Sequence, residues 1–278
     1  VLSARRELVA SELVRSGLVS ERPRSAIMDD WLRVQAITDL YRRVRVPRSF
    51  HRFPGAQVWA YRSPSDGTVQ PFWLMVPAGL ERDSATARPL SFSVNHWADP
   101  DFWKGRGRRP GFVLTGAATA TIADVFVVVP HFRGHEDVVD AARVEMPAIV
   151  STVGEHFPVD TARVGLFVWS DHAGDALHLA GDPGVPLGFV GLAVPALPAD
   201  TARLMPRIRR AAAVRPELTW WLWSGETDEW IPPERVSRLA DLLRKVGFEP
   251  RHVVVPYSNH VDGLFVPTEV ELLRAIGG

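Results

Sequence analysis

Three residues of matched chemistry each stand just beyond an apolar, strand-like run. Ser170 follows residues 164–169, Asp228 follows residues 218–223 by way of Ser224, Gly225, Glu226 and Thr227, and His260 follows residues 252–255 by way of Tyr257, Ser258 and Asn259. In an open α/β sheet, ligands collect beyond the carboxyl ends of the strands. A hydroxyl, a carboxylate and an imidazole are therefore in position to share one site, and such a set supports nucleophilic acyl chemistry. A serine at a sharp strand-to-helix turn has its Oγ pushed clear of the backbone, near the helix end that stabilises an oxyanion. Each residue also has a plainer reading: Ser170 as a helix cap, Asp228 as a turn residue ahead of Pro232 and Pro233, His260 as a loop histidine bonded to backbone. Their order and spacing favour the joint reading.

The elements that must hold these residues are legible in the periodicity. Residues 57–61 and 71–76 are strand-like and flank a turn-rich stretch, 63–67, which predicts a hairpin. Residues 89–94 and 125–129 are third and fourth strands, the latter a continuous apolar run suited to burial on both faces. Strict alternation follows: helix 137–156, strand 163–169, helix 173–179, strand 189–194, helix 201–213, strand 218–223, helix 233–246, strand 252–255, helix 269–276. Strands joined by crossover helices imply a mainly parallel sheet covered on both faces. The leading hairpin adds its antiparallel edge, giving eight strands. Residues 1–50 carry two amphipathic helical stripes broken by Pro23, and they are expected to form an accessory helical segment, either a cap or a structural leader. Residues 51–278 form the main α/β domain.

Composition narrows the partners. The chain has 278 residues, a formal net charge of zero, 46% hydrophobic residues and no cysteine. Without a net field, nucleic acid is not expected as a partner, and the 106–109 Arg-rich run is too short to change that. The missing cysteines exclude disulfides, thiolate nucleophiles and Cys-based zinc sites. The apolar runs are strand-length, so no membrane span is expected. The amino terminus lacks the basic-then-apolar pattern of a signal peptide, and the sequence leans toward the cytoplasm. His96, His131 and His135 could suggest a metal site, but Glu136 and Asp137 fit better as acids at a helix start, and no metal or cofactor is expected. The expected partner is a small-molecule acyl substrate, and a homodimer stays open.

At this point a family resemblance becomes visible. The segment VDTARVGLFVWSDHAGDALHLA resembles the "VD–RIG–GWS–GG–A" stretch around the nucleophile of prolyl-oligopeptidase-like and esterase members of the α/β-hydrolase superfamily. SGETDEWIPPERVSRLADLLRKVGFEPRHVVVPYSNH is similar to their acid loop, following helix and histidine loop. YRSPSDGTVQPFWLMVPAGL resembles their leading strands, and VVVPHFRGH their loop after the fourth strand. The similarity spans roughly residues 55–265.

The resemblance implies roles. Ser170 would be the nucleophile, His260 the base that takes and returns its proton, and Asp228 the carboxylate that orients the imidazole. The N–H of Asp171 would be one oxyanion donor, with a second from Asn95, His96 and Trp97. His172, Trp169 and Trp230 would line the substrate side, the tryptophans together with Trp97 suiting an apolar or aromatic acyl group. The chain departs from the family at the elbow. G-x-S-x-G reads Val168-Trp169-Ser170-Asp171-His172, so both glycines are replaced. A wider turn or a shifted helix is expected to accommodate the added side chains. The expected activity is hydrolysis of an ester, thioester or peptide-like acyl bond. The altered elbow and oxyanion loop motivate two alternatives: non-hydrolytic catalysis (acyl transfer, cyclisation or elimination on a specialised metabolite), and a binding relative with a dead site.

Overall fold

A computed structural model describes residues 55–94, 124–130, 138–260 and 274–276, apart from residues 68, 82 and 199. The N-terminal helical segment expected over 1–50 lies outside these residues, as do Asn95, His96, Trp97, His131 and His135.

The sheet is built in the order the periodicity implies. Strands β1 (Gly55–Arg62) and β2 (Val69–Val76) form the antiparallel hairpin. Its turn is closed by Gly67, whose N–H donates to the Ser63 carbonyl at 2.9 Å. Gly67 has φ +72°, a conformation that costs glycine little and other residues more. After β3 (Arg88–Val94) and β4 (Phe126–Pro130) come helix α1 (Val138–Gly154) and strand β5 (Val159–Trp169). Then α2 (Ala173–Ala180), β6 (Phe189–Ala193), α3 (Met205–Val214), β7 (Thr219–Gly225), α4 (Pro233–Arg244) and β8 (Arg251–Val255) alternate. The eight strands lie in the order β1-β2-β4-β3-β5-β6-β7-β8. Strand β2 pairs antiparallel with β4, and every pairing from β4 through β3 to β8 is parallel.

Two apolar layers hold this sheet. On one face Leu90, Phe92, Val164, Leu166, Val168 and Leu222 pack with residues of α1 to α4 in the larger core. The alternate residues Phe167, Trp221 and Trp223 point the other way and pack with Ile276 of the last helix. That helix comes close because Gly165 has no side chain: a Cβ there would lie 2.5 Å from Ile276 Cδ1. Arg163 then donates to the Ile276 carbonyl. Among the described residues, helices thus cover both faces, α1 to α4 on one side.

Two boundaries differ from expectation by more than two residues. Strand β5 begins at Val159, four residues early, because Val159 pairs with Arg88 before a register irregularity ahead of Leu90. The helix expected from 201 opens as a 3₁₀ turn over Thr201–Leu204, capped by Asp200 Oδ1 accepting from the Ala202 N–H at 3.1 Å. Of the last predicted helix, residues 274–276 are described and helical.

Candidate active site

The sheet brings the three separated residues together at its carboxyl edge. Ser170 is the first residue after β5, Asp228 lies three residues past β7 and His260 five past β8. Ser170 Oγ is 3.0 Å from His260 Nε2. His260 Nδ1 is 2.9 Å from Asp228 Oδ2. Ser170, Asp228 and His260 are buried, at 9%, 3% and 7% exposure respectively, so water competes little for these bonds.

Each member has its own support. The second carboxylate oxygen of Asp228, Oδ1, accepts from the backbone N–H groups of Trp230 and Ile231, both at 2.9 Å. Its other oxygen, Oδ2, faces His260 Nδ1 at 2.9 Å and is placed to accept from the imidazole N–H. With Nδ1 so engaged as a donor, Nε2 is left as the acceptor facing Ser170.

The loop carrying His260 is tied to the acid loop at several points. The Thr227 N–H donates to the Ser258 carbonyl at 2.9 Å, Tyr257 N–H to Glu226 Oε2 at 2.9 Å, and Glu226 N–H to the Val255 carbonyl at 3.0 Å. Gly225 permits this approach. A Cβ at that position would stand 2.4 Å from the Ser258 carbonyl oxygen. These tie points, Gly225, Glu226 and Ser258, escaped the sequence reading. The glycine in SGETD, between a strand end and an acid, was the available signal.

The elbow is sharp although its glycines are gone. Ser170 takes φ +53°, a left-handed conformation uncommon for any residue but glycine. A 3₁₀ turn, Ser170–His172, then leads into α2, with the Ala173 N–H donating to the Ser170 carbonyl. The side chains that replace the glycines each meet a neighbour. Val168 points into the larger core. His172 is half-buried, and its Nδ1 lies 3.1 Å from Asp175 Oδ2, one turn along the helix. The Ser170 carbonyl also accepts from the Ala196 N–H at 2.8 Å, which braces the turn from the segment after β6.

The same edge stores strain in two further places. Val194, one residue past β6, has φ +41°, and Tyr257, two past β8, has φ +56°. For a β-branched residue this is a true outlier, and such residues gather where function constrains the chain. Val194 is held there by its N–H donating to the Trp223 carbonyl at 2.9 Å.

Two indoles flank the imidazole. The Trp169 and His260 ring centroids are 5.3 Å apart, and those of Trp230 and His260 are 5.0 Å apart. Trp169 and Trp230, named from the sequence as lining residues, therefore meet at His260. Asp171 lies inside the 3₁₀ turn directly after Ser170. The second oxyanion donor expected from Asn95, His96 and Trp97 falls outside the described residues. Among the described residues no group of His, Asp or Glu side chains is arranged to hold a metal ion, and no helix is long and apolar enough to cross a membrane.

No family model matches the chain, and no curated protein matches it. Solved structures do. An S-formylglutathione hydrolase from Staphylococcus aureus aligns over 81% of this chain and 99% of its own, with a TM-score of 0.59 and 10% identity. A ferulic acid esterase from Anaeromyces mucronatus aligns over 81% of this chain and 91% of its own, with a TM-score of 0.58 and 13% identity. A fluorophosphonate-binding serine hydrolase from Staphylococcus aureus aligns over 81% of this chain and all of its own, with a TM-score of 0.58 and 11% identity. These likenesses, with the strand order and crossovers above, establish that the chain has the α/β-hydrolase fold.

Proposed function

We propose that the protein is a serine hydrolase that cleaves an ester, thioester or peptide-like acyl bond of a small molecule through an acyl-enzyme on Ser170. The observation that carries this reading is the continuous hydrogen-bonded path from Ser170 Oγ through the His260 ring to Asp228, at 3.0 and 2.9 Å. Those distances lie within reach for proton transfer without rearrangement.

Ser170 Oγ attacks the acyl carbon while its proton passes to His260 Nε2. Asp228 keeps the ring in the tautomer that accepts there and stabilises the imidazolium that forms. As the tetrahedral intermediate collapses, the bond to the leaving group breaks. The departing atom takes the proton from Nε2, leaving the acyl group on Ser170. Water then adds with His260 again as base, and the acid and free Ser170 result. The Asp171 N–H, at the start of the 3₁₀ turn, serves as an oxyanion donor, with Asn95, His96 or Trp97 as the source of the second. His172 lines the same turn on the substrate side. The left-handed Ser170 backbone supports this reading over the binding alternative. A dead site would lose nothing by relaxing such a conformation.

The test is active-site labelling. A fluorophosphonate probe should modify Ser170, and Ser170→Ala should abolish both labelling and ester turnover, with a fall of at least about 10³-fold in kcat. Retained turnover in Ser170→Ala would refute the acyl-enzyme.

A further inference from the structure

Resting on the acyl-enzyme reading, we propose that Trp230, with Trp169 packed on the same ring, is a specificity-determining platform for the leaving group, and that it selects leaving groups bearing an aromatic ring. The sequence alone suggests these indoles for the acyl side; the geometry points to the other half of the substrate.

The reasoning begins with the proton. When the tetrahedral intermediate collapses, the electron pair of the breaking C–O bond goes to the departing oxygen, which takes the proton held on His260 Nε2. That oxygen must therefore lie within hydrogen-bond reach of Nε2, about 3 Å. The first carbons of the alcohol then extend along whatever surrounds the imidazole. The acyl carbon, by contrast, stays bonded to Ser170 Oγ, with its oxygen toward the 3₁₀ turn. Groups packed on His260 thus border the leaving group, and two indoles are packed there, at centroid distances of 5.0 and 5.3 Å with interplanar angles of 41° and 40°.

Trp230 is available for such contact. It is 70% exposed, although it stands against a histidine that is only 7% exposed. Its main chain is fixed, since its N–H donates to Asp228 Oδ1. The side chain is thus a large apolar surface on a rigid stem beside the reacting atoms, with most of its area unfilled. A ring laid on it in an offset or tilted arrangement gains beyond simple area burial, whereas an alkyl chain gains only the area.

The experiment uses two ester series on the full-length protein. In the first, acetates of benzyl alcohol and 2-naphthylmethanol are compared with acetates of butanol and cyclohexylmethanol, so that alcohols of similar acidity differ mainly in aromaticity. In the second, methyl phenylacetate is compared with methyl cyclohexylacetate. The arylmethyl acetates should exceed the alkyl acetates in kcat/KM by about three- to tenfold. Trp230→Ala should collapse that ratio toward one, Trp230→Phe should keep about half of it, and the ratio in the acyl series should not move. Where acetates turn over too slowly, the same ratio is read from protection of Ser170 against fluorophosphonate by the free alcohols. A leaving-group ratio unchanged by Trp230→Ala, or an equal change in the acyl series, overturns the platform. Absence of both turnover and Ser170 labelling in the wild-type protein overturns the hydrolase reading on which it rests.

Discussion

Gly225→Ala tests how the site is held together, because it adds one methyl group whose nearest neighbours are backbone atoms of Ser258 and Asn259 rather than the triad. Gly225 closes β7 and faces the loop that carries His260. The added Cβ would stand 2.4 Å from the Ser258 carbonyl oxygen, 2.9 Å from the Ser258 carbonyl carbon and 3.0 Å from the Asn259 carbonyl oxygen. All three are backbone atoms, so no side chain can swing away. To restore ordinary contact the Ser258 carbonyl must retreat by about 1 Å. The loop yields rather than the strand: β7 lies between β6 and β8 with Trp220 and Trp223 fully buried, whereas the loop carries Tyr257 at 91% exposure. Retreat breaks the Thr227–Ser258 hydrogen bond and moves His260, two residues on, against bonds of 3.0 and 2.9 Å to Ser170 and Asp228. A displacement of that size at a general base costs about 10²-fold in rate, or about 2.7 kcal/mol of transition-state stabilisation. The overpacking adds about 1–3 kcal/mol of destabilisation. The assay is kcat/KM on a simple ester together with the rate of fluorophosphonate labelling, measured well below the melting temperature. A folded Gly225→Ala protein within threefold of wild type would refute the argument that this close approach positions His260.

Other outcomes follow from neighbouring features. Asp228→Asn keeps a carbonyl oxygen for the Trp230 and Ile231 N–H groups but offers His260 an amide donor, which favours the wrong tautomer; kcat should fall about 10⁴-fold with little change in Tm. Arg215 is buried and donates to the carbonyls of Ala180 and Val185, so Arg215→Ala should cost about 3 kcal/mol in urea unfolding by removing two charge-assisted hydrogen bonds. His252 sits between Ser224 Oγ at 2.9 Å and Ser237 Oγ at 3.4 Å. Burial, and next the Arg244 charge, hold it below its ordinary value of 6.5, while Asp241 opposes them. The unfolded chain therefore binds a proton that the folded chain refuses. This contribution to stability is complete above pH 6.5 and declines as the pH falls from there toward the depressed folded value. His252→Gln should flatten that part of the pH dependence when urea unfolding of both proteins is compared at pH 8, 6.5 and 5.5.

The parts of this fold that were legible in sequence are those governed by period and chain order. Alternating apolar runs and amphipathic helices located the strands and crossovers, and the strand ends located Ser170, Asp228 and His260. What escaped depends on distances between backbones. Asp160 and Thr161 look like turn residues, yet they lie within β5, because Val159 reaches back to pair with Arg88. Val194 looks like the natural end of a strand, since a β-branched side chain opposes positive φ; only its bond to the Trp223 carbonyl reveals that the chain is forced there. The elbow gives the clearest case. Replacing both glycines argues locally for a wider turn. Whether a Cβ is tolerated depends instead on what it meets, and Val168 meets the apolar core while His172 meets Asp175.

That distinction bears on how the site persists. Positive φ at Ser170, Val194 and Tyr257 costs about 1–3 kcal/mol at each position. Each residue is clamped by a bond from a different element: Ala196 N–H to the Ser170 carbonyl, Val194 N–H to the Trp223 carbonyl, and Tyr257 N–H to Glu226. The strain is thus borne by connections across β5, β6, β7 and β8 rather than by local sequence preference. Relaxation at Ser170 itself would redirect its Oγ away from His260. The glycines of the family motif ease one close approach, but the interlocked strand ends are what keep the hydroxyl aimed at the imidazole here.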